Sequence, residues 1–133
     1  MREIEFRGKR IDNGEWVYGN LMQFEDSATF IFADERKGAS TLTYAHFIIN
    51  NMHAIDSETI GQYTGLKDKS DNKIFEGDIG WDEHNECYGV VKFEEGKFLY
   101  VWENIAEDLW EVADGIEICG NIHENPDLLE GTE

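Results

Sequence analysis

Short runs of alternating apolar and polar residues, each closed by a turn-forming residue, fill most of this chain and commit it to β structure. Ile4-Glu5-Phe6-Arg7-Gly8-Lys9-Arg10-Ile11 is followed by Asp12-Asn13-Gly14 and then by Glu15-Trp16-Val17-Tyr18-Gly19-Asn20-Leu21. Alternation places the apolar side chains of an extended segment on one face. The Asn-Gly between two such segments supplies the positive φ angles of a hairpin turn. Gly89 to Glu94 and Lys97 to Trp102, on either side of Glu95-Gly96, repeat the pattern. Thr29 to Ala33 continues an N-terminal meander, Ile55 to Leu66 is β-rich with glycines at expected bulges, and Ile116 to Ile122 returns to strand character.

The remaining segments are read from their punctuation. Asp34-Glu35-Arg36-Lys37-Gly38 is a charged loop, Thr41 to Tyr44 alternates again, and Ala45 to Met52 is a buried run whose element type periodicity leaves open. Lys67 to Lys73 is a polar turn, after which Ile74-Phe75-Glu76-Gly77-Asp78-Ile79 opens a second set of strands. Ile105, Leu109 and Val112 at helical spacing, with Asn104 as cap, predict a short helix over 104–113. Pro126 at a first helical position predicts a final turn of helix. The whole reads as mainly β: N-terminal hairpins, a C-terminal set of strands in the order of an SH3-like small barrel, and one or two short helices.

At 133 residues the chain is one unit, with two small β lobes sharing a core, 1–60 and 61–133, as the alternative division. Its 13% aromatic content is too rich for a disordered chain. The start Met1-Arg2-Glu3-Ile4-Glu5-Phe6-Arg7 has no apolar core of a signal peptide, and no run reaches the roughly 18 apolar residues of a membrane span, so a soluble protein of the cytoplasm is expected. In that compartment Cys87 and Cys119 are free thiols. A net charge of −18 repels phosphate backbones and lacks the counterion-release term behind nucleic-acid affinity, so direct DNA or RNA binding is disfavoured unless Arg7, Lys9 and Arg10 gather locally.

Three constellations carry some chemistry. Asp78, Asp82 and Glu83 beside His84 have the groups of a metal-dependent hydrolase, but a chain with 29 acids produces such neighbours by chance and no nucleophile with its base stands at a known spacing. His84, Cys87, Cys119 and His123 supply two thiolates and two imidazoles, a candidate zinc set without a Cys-x-x-Cys knuckle; packing accounts for each member, so no metal or other cofactor is expected. Trp16, Trp81 and Trp102 form a candidate aromatic binding patch, set against the ordinary use of aromatics in small β cores. Neither glycine motif of a phosphate-binding loop is present.

Four blocks, in order, carry a resemblance: the opening Met1 to Arg7; Ile60-Gly61-Gln62-Tyr63-Thr64-Gly65-Leu66-Lys67-Asp68-Lys69; Ile74 to Ile79; and Gly120-Asn121-Ile122-His123-Glu124-Asn125-Pro126-Asp127-Leu128-Leu129. Together they resemble the YopX protein family. Ser70-Asp71-Asn72 replaces the usual Asn-Gly turn, and Gly80 stands where an apolar strand residue is expected. The resemblance implies a mainly β protein of phage or prophage origin in a bacterial host, and it implies no reaction.

Within the shared blocks Gly61, Gln62, Tyr63, Gly65, Gly77, Asp78, Gly120, Asn121 and Pro126 are the turn and motif residues, with Gly65, Gly77 and Asp78 as structural corners. The functional expectation is a non-enzymatic protein-binding or assembly module, with a basic host or phage protein as partner or a homo-oligomer as its assembly. The small hydrolase and the nucleic-acid-binding barrel are the alternatives.

Overall fold

The structure, a computed structural model, describes residues 4–24, 28–33 and 52–130. The charged loop expected at 34–38, the alternation at 41–44 and the buried run over 45–51 lie outside them. The described residues are mainly β and divide into two compact units, 4–62 and 63–130.

The first unit contains β1 (Phe6–Arg10), β2 (Trp16–Gln23), β3 (Thr29–Phe32) and the start of β4 (Met52–Lys67). β1 pairs with β2, β2 with β3 and β3 with β4, all antiparallel, as a meander requires. β4 also pairs with β1, so the four strands close on themselves and bury Ile31 and Ile55 between their faces. The register of that closing pair slips between Arg7 and Lys9, and Thr59 fills the gap: its hydroxyl accepts from the Lys9 amide at 2.9 Å and donates to the Asp56 carbonyl at 2.6 Å. The β1–β2 connection is wider than the expected two-residue turn. Arg10 N donates to the Glu15 carbonyl, Asn13 Oδ1 accepts from Glu15 N, and only Gly14 of the Asn-Gly pair has a positive φ, 73°.

In the second unit the end of β4 pairs with β5 (Lys73–Phe75), and β6 (Asp78–Asp82), β7 (Cys87–Glu94), β8 (Lys97–Trp102), β9 (Ile105–Asp108) and β10 (Ile116–Asn121) form an antiparallel sheet ordered β10-β6-β7-β8-β9. A single turn of helix, α1 (Leu109–Val112), and a 3₁₀ turn (Ala113–Gly115) separate β9 from β10. Return of the last strand to the first through a 3₁₀ turn is the strand order expected of an SH3-like small barrel. Glu95 and Gly96 both have positive φ, 53° and 82°, and close the β7–β8 hairpin as a tight primed turn. The second short helix, α2 (Asp127–Glu130), follows Pro126.

The core of this unit is Ile74, Val91, Tyr100, Leu109, Ala113 and Ile116. Burying each of Ile74, Val91, Leu109 and Ile116 contributes about 1.5–3 kcal/mol. That gain fixes α1: Leu109 and Ala113 lie on the side of the helix that covers the sheet, and both are buried. The helix predicted over 104–113 therefore begins only at Leu109. Residues 105–108 are strand because β8 offers them a ladder from Trp102↔Ile105 to Leu99↔Asp108, and Glu103 at φ 51° turns the chain back toward it. Gly80 does not shorten β6, which runs on to Asp82. The ring of Tyr100 occupies the space a side chain would need at Gly80 and Gly89, and its hydroxyl donates to the Gly80 carbonyl at 2.9 Å.

Candidate functional site

The shared motif residues build corners. Thr64, Gly65 and Leu66 bulge out of the β4–β5 pairing between Tyr63↔Phe75 and Lys67↔Lys73. Gly65 takes φ 86°, and the Thr64 hydroxyl donates to the Ile74 carbonyl at 2.8 Å. Tyr63 is buried against Phe75, with Lys73 Nζ 5.1 Å from its ring centre. Gly61, opposite Arg7, and Gln62, opposite Phe6, are ladder residues of the first unit. Gly77 takes φ 93° between β5 and β6, its amide donating to Val91 O and its carbonyl accepting from Ile122 N. Beside it Asp78, 2% exposed, accepts from the Phe75 amide at 2.7 Å. At the far end Asn121 Oδ1 accepts from the amides of His123 and Glu124, while Asn125 Oδ1 accepts from Asn121 N and fills the space beside Gly120. Pro126 then starts α2, its carbonyl accepting from Leu129 N.

A corner residue not singled out in the sequence is Asp68. Its carboxylate, 5% exposed, accepts from the amides of Ser70, Asn72 and Ile118 at 2.8–2.9 Å and from Asn72 Nδ2 at 3.3 Å. Burial alone would raise its pKa; the amides of Ile118 and Asn72, with Asn72 Nδ2 and Ser70 N, outweigh burial and hold it below the usual value. One side chain thereby closes the 68–72 turn and ties it to β10.

The acid and thiol constellations do not assemble. Asp82 is occupied by the amides of His84 and Asn85 and by Asn85 Nδ2, Glu83 pairs with Lys69 at 3.3 Å, and Asp78 faces Phe75 N. Cys87 sits opposite Asp82 at the start of β7, whereas Cys119 is the extra residue where β10 slips against β6, its thiol donating to Ile79 O at 3.5 Å. At about 3.3 Å per residue and 4.8 Å per strand, the two cysteines are roughly 12 Å apart. The zinc set His84, Cys87, Cys119, His123 is thus not brought together, and no metal-sized group of His, Cys, Asp and Glu occurs among the described residues. Both thiols have raised pKa values, although Cys119 is exposed and Cys87 half-buried. Burial raises the Cys87 pKa, reinforced by Asp82, Glu103 and Glu107, and burial with Glu117 and Asp78 raises that of Cys119.

Of the three tryptophans of the aromatic patch, the two in the second unit do not share a face. Trp16 belongs to the first unit, where the Arg7 guanidinium lies 5.2 Å from its ring centre. Trp81 and Trp102 belong to the second unit but leave opposite faces of its sheet. Trp81 pairs with Tyr88, Tyr88 shares a face with Val90, and Val90 pairs with Val101, so the adjacent Trp102 points the other way. Trp102 packs on the core and donates from Nε1 to Glu107 Oε2 at 2.8 Å. The local basic cluster is likewise engaged: Arg7 is buried, and Arg10 makes a two-pronged pair with Asp12. Arg10 and Lys9 line a groove of ≈ 720 Å³ in the first unit whose other walls include Phe30, Ile55 and Asp56.

What remains is one acidic region of the second unit. No Lys or Arg follows Lys97, although ten acids do, a signal plain in the sequence that reading by motif passed over. Asp82, Glu107, Glu111 and Asp114 line a groove of ≈ 230 Å³ floored by Val112 and Ile116, with His84 at its rim. Lys97 pairs with Asp108 at 2.9 Å; among the described residues Glu103, Glu107, Glu111 and Asp114 enter no ion pair. Trp110, on α1 between these acids, is 70% exposed, and Ile105 on β9 is 43% exposed. Lys97 also feels the charge of Glu111, so the region is only partly compensated, and apolar contact area within a net negative field is suited to holding a cationic surface.

A family model described as YopX protein matches residues 5–130. The crystal structure of protein EF1440 from Enterococcus faecalis is similar over 97% of this chain and 99% of that one, with a TM-score of 0.60 and 25% identity. Among curated proteins nothing matches. No helix among the described residues is long and apolar enough to cross a membrane.

Proposed function

The chain belongs to the YopX protein family, and from that premise we propose that it is a phage- or prophage-encoded, non-enzymatic binding or assembly module whose partner is a basic protein of the host or the phage, met in the cytoplasm. The observation that carries this reading is Trp110, 70% exposed on α1 next to Glu111, in a stretch whose acids outnumber its one neighbouring cation, Lys97. Tryptophan is enriched among the hot-spot residues of protein interfaces, and the surrounding charge selects the sign of what can approach it. The acids Asp78 and Asp82 that would serve hydrolysis are spent on turn amides, and the carboxylates near Cys87 and Cys119 raise rather than lower their pKa values. Most of the shared motif residues of this chain are spent on corners, ladders and core contacts, which leaves its exposed surface for binding.

The test is affinity capture from lysogenic or infected cells with the wild-type chain and Trp110→Ala as paired baits. A basic protein retained by the first, lost from the second and released by salt is the expected result. Retention of acidic proteins only, or of the same proteins by both baits, would overturn the proposal.

A further inference from the structure

The second unit's sheet has two edges, and they are treated differently. Along β10 the outer edge is covered: Lys69 N donates to Ile116 O, Ile118 N donates to Asp68 Oδ2, and Asn121 N donates to Asn125 Oδ1. Along β9 nothing comparable occurs. It is the terminal strand of the order β10-β6-β7-β8-β9, and among the described residues no loop or side chain hydrogen-bonds to the outer main chain of residues 105–107, while Asp108 occupies the N-cap position of α1. An antiparallel edge strand turns alternate amides and carbonyls outward, so β9 presents open main-chain donors and acceptors.

We infer that the outer edge of β9 is a docking strand for an extended, cationic segment of a partner protein, which adds to the sheet beside it. The occupant follows from charge and shape. Strand addition takes its affinity from main-chain hydrogen bonds and its selectivity from side chains at alternate positions. On β9 itself the exposed Ile105 offers an apolar contact and Glu107, which accepts from Trp102 Nε1, a carboxylate, while Glu103 in the preceding turn and Trp110 and Glu111 on α1 flank the strand. A second copy of this chain is disfavoured by charge, since two such edges would bring together the acids flanking β9 in a protein already at −18.

This inference rests on the proposed function and is narrower than it. The probe is a short fluorescent peptide of alternating lysine and valine, compared with the glutamate–valine version and with a version N-methylated at alternate residues. Anisotropy should show binding of the first alone. Trp110→Ala and Ile105→Asn, both exposed positions, should each weaken it by about tenfold, an effect of about 1.4 kcal/mol. Amide shifts of the full-length protein on titration should centre on residues 105–108. Absence of binding at millimolar peptide, equal binding of the N-methylated peptide, or shifts centred elsewhere would overturn it. A basic protein captured in cells while these peptides fail would leave the binding module standing and remove only the strand-addition mode.

Discussion

At the scale of single residues, buried carboxylates hold this fold at its corners, and Asp68 bears the most. Asp68→Asn keeps one acceptor but turns an amide group toward the Ile118 or Asn72 amide, so a loss of about 1–3 kcal/mol is expected in urea unfolding at neutral pH. The sign with pH follows from its lowered pKa. The ionised form is favoured in the folded state, so its stabilisation is complete above the unfolded value of about 3.9 and fades as pH falls through the lower folded value. The gap between wild type and Asp68→Asn should therefore be constant from pH 7 to about 5 and close below about 4. A gap unchanged at pH 2 would show that the carboxylate's charge is irrelevant. Tyr100 makes the opposite kind of corner, filling the space over Gly89. Gly89→Ala would drive a methyl within 2.8 Å of three ring carbons, and a loss of about 1–3 kcal/mol is expected in the same assay. Asp78 could be read as a corner from its Gly77 neighbour, because that bond is local. Asp68 could not, since one of its partners lies 50 residues away and no local pattern announces it.

Among the elements, strands delimited by alternation and turn residues were legible, and the places where legibility failed have a common cause. Ile105, Leu109 and Val112 have helical spacing, yet four of the residues they span are drawn into β9 by a ladder that only the partner strand supplies. The three tryptophans are alike in sequence, but face depends on register, and register is set by pairings such as Trp81↔Tyr88 that lie outside any local window. Gly77 stands on the legible side. At φ 93° its backbone is open to glycine alone, so Gly77→Val should cost about 1–3 kcal/mol and should loosen the Gly77 N to Val91 O and Ile122 N to Gly77 O bonds together. Amide exchange on Ile122 is the local readout. Protection there unchanged, with wild-type unfolding, would mean the corner tolerates a side chain and that the glycine has no conformational role.

For the whole molecule the governing quantity is the charge of −18, which acts on every approach the protein makes. Attraction to a basic partner is screened beyond a Debye length of about 8 Å at physiological ionic strength, so association driven by the acidic region around Trp110 should slow and weaken as salt rises. Association of the protein with itself has the opposite sign, because salt relieves repulsion between like-charged copies while their apolar contacts are unaffected or strengthened. Sedimentation across a salt series from about 50 mM to about 1 M, alone and with the lysine–valine peptide, separates the two. The expected outcome is a single species at low salt and peptide binding that falls steadily with added salt. A dimer that grows with salt while the peptide does not bind would make the exposed Trp110 and Ile105 a self-assembly surface. A monomer at every salt, with tight and salt-sensitive binding of DNA, would instead require the engaged cations of β1, Arg7 beneath Trp16 and Arg10 on Asp12, to release their partners and face a phosphate backbone.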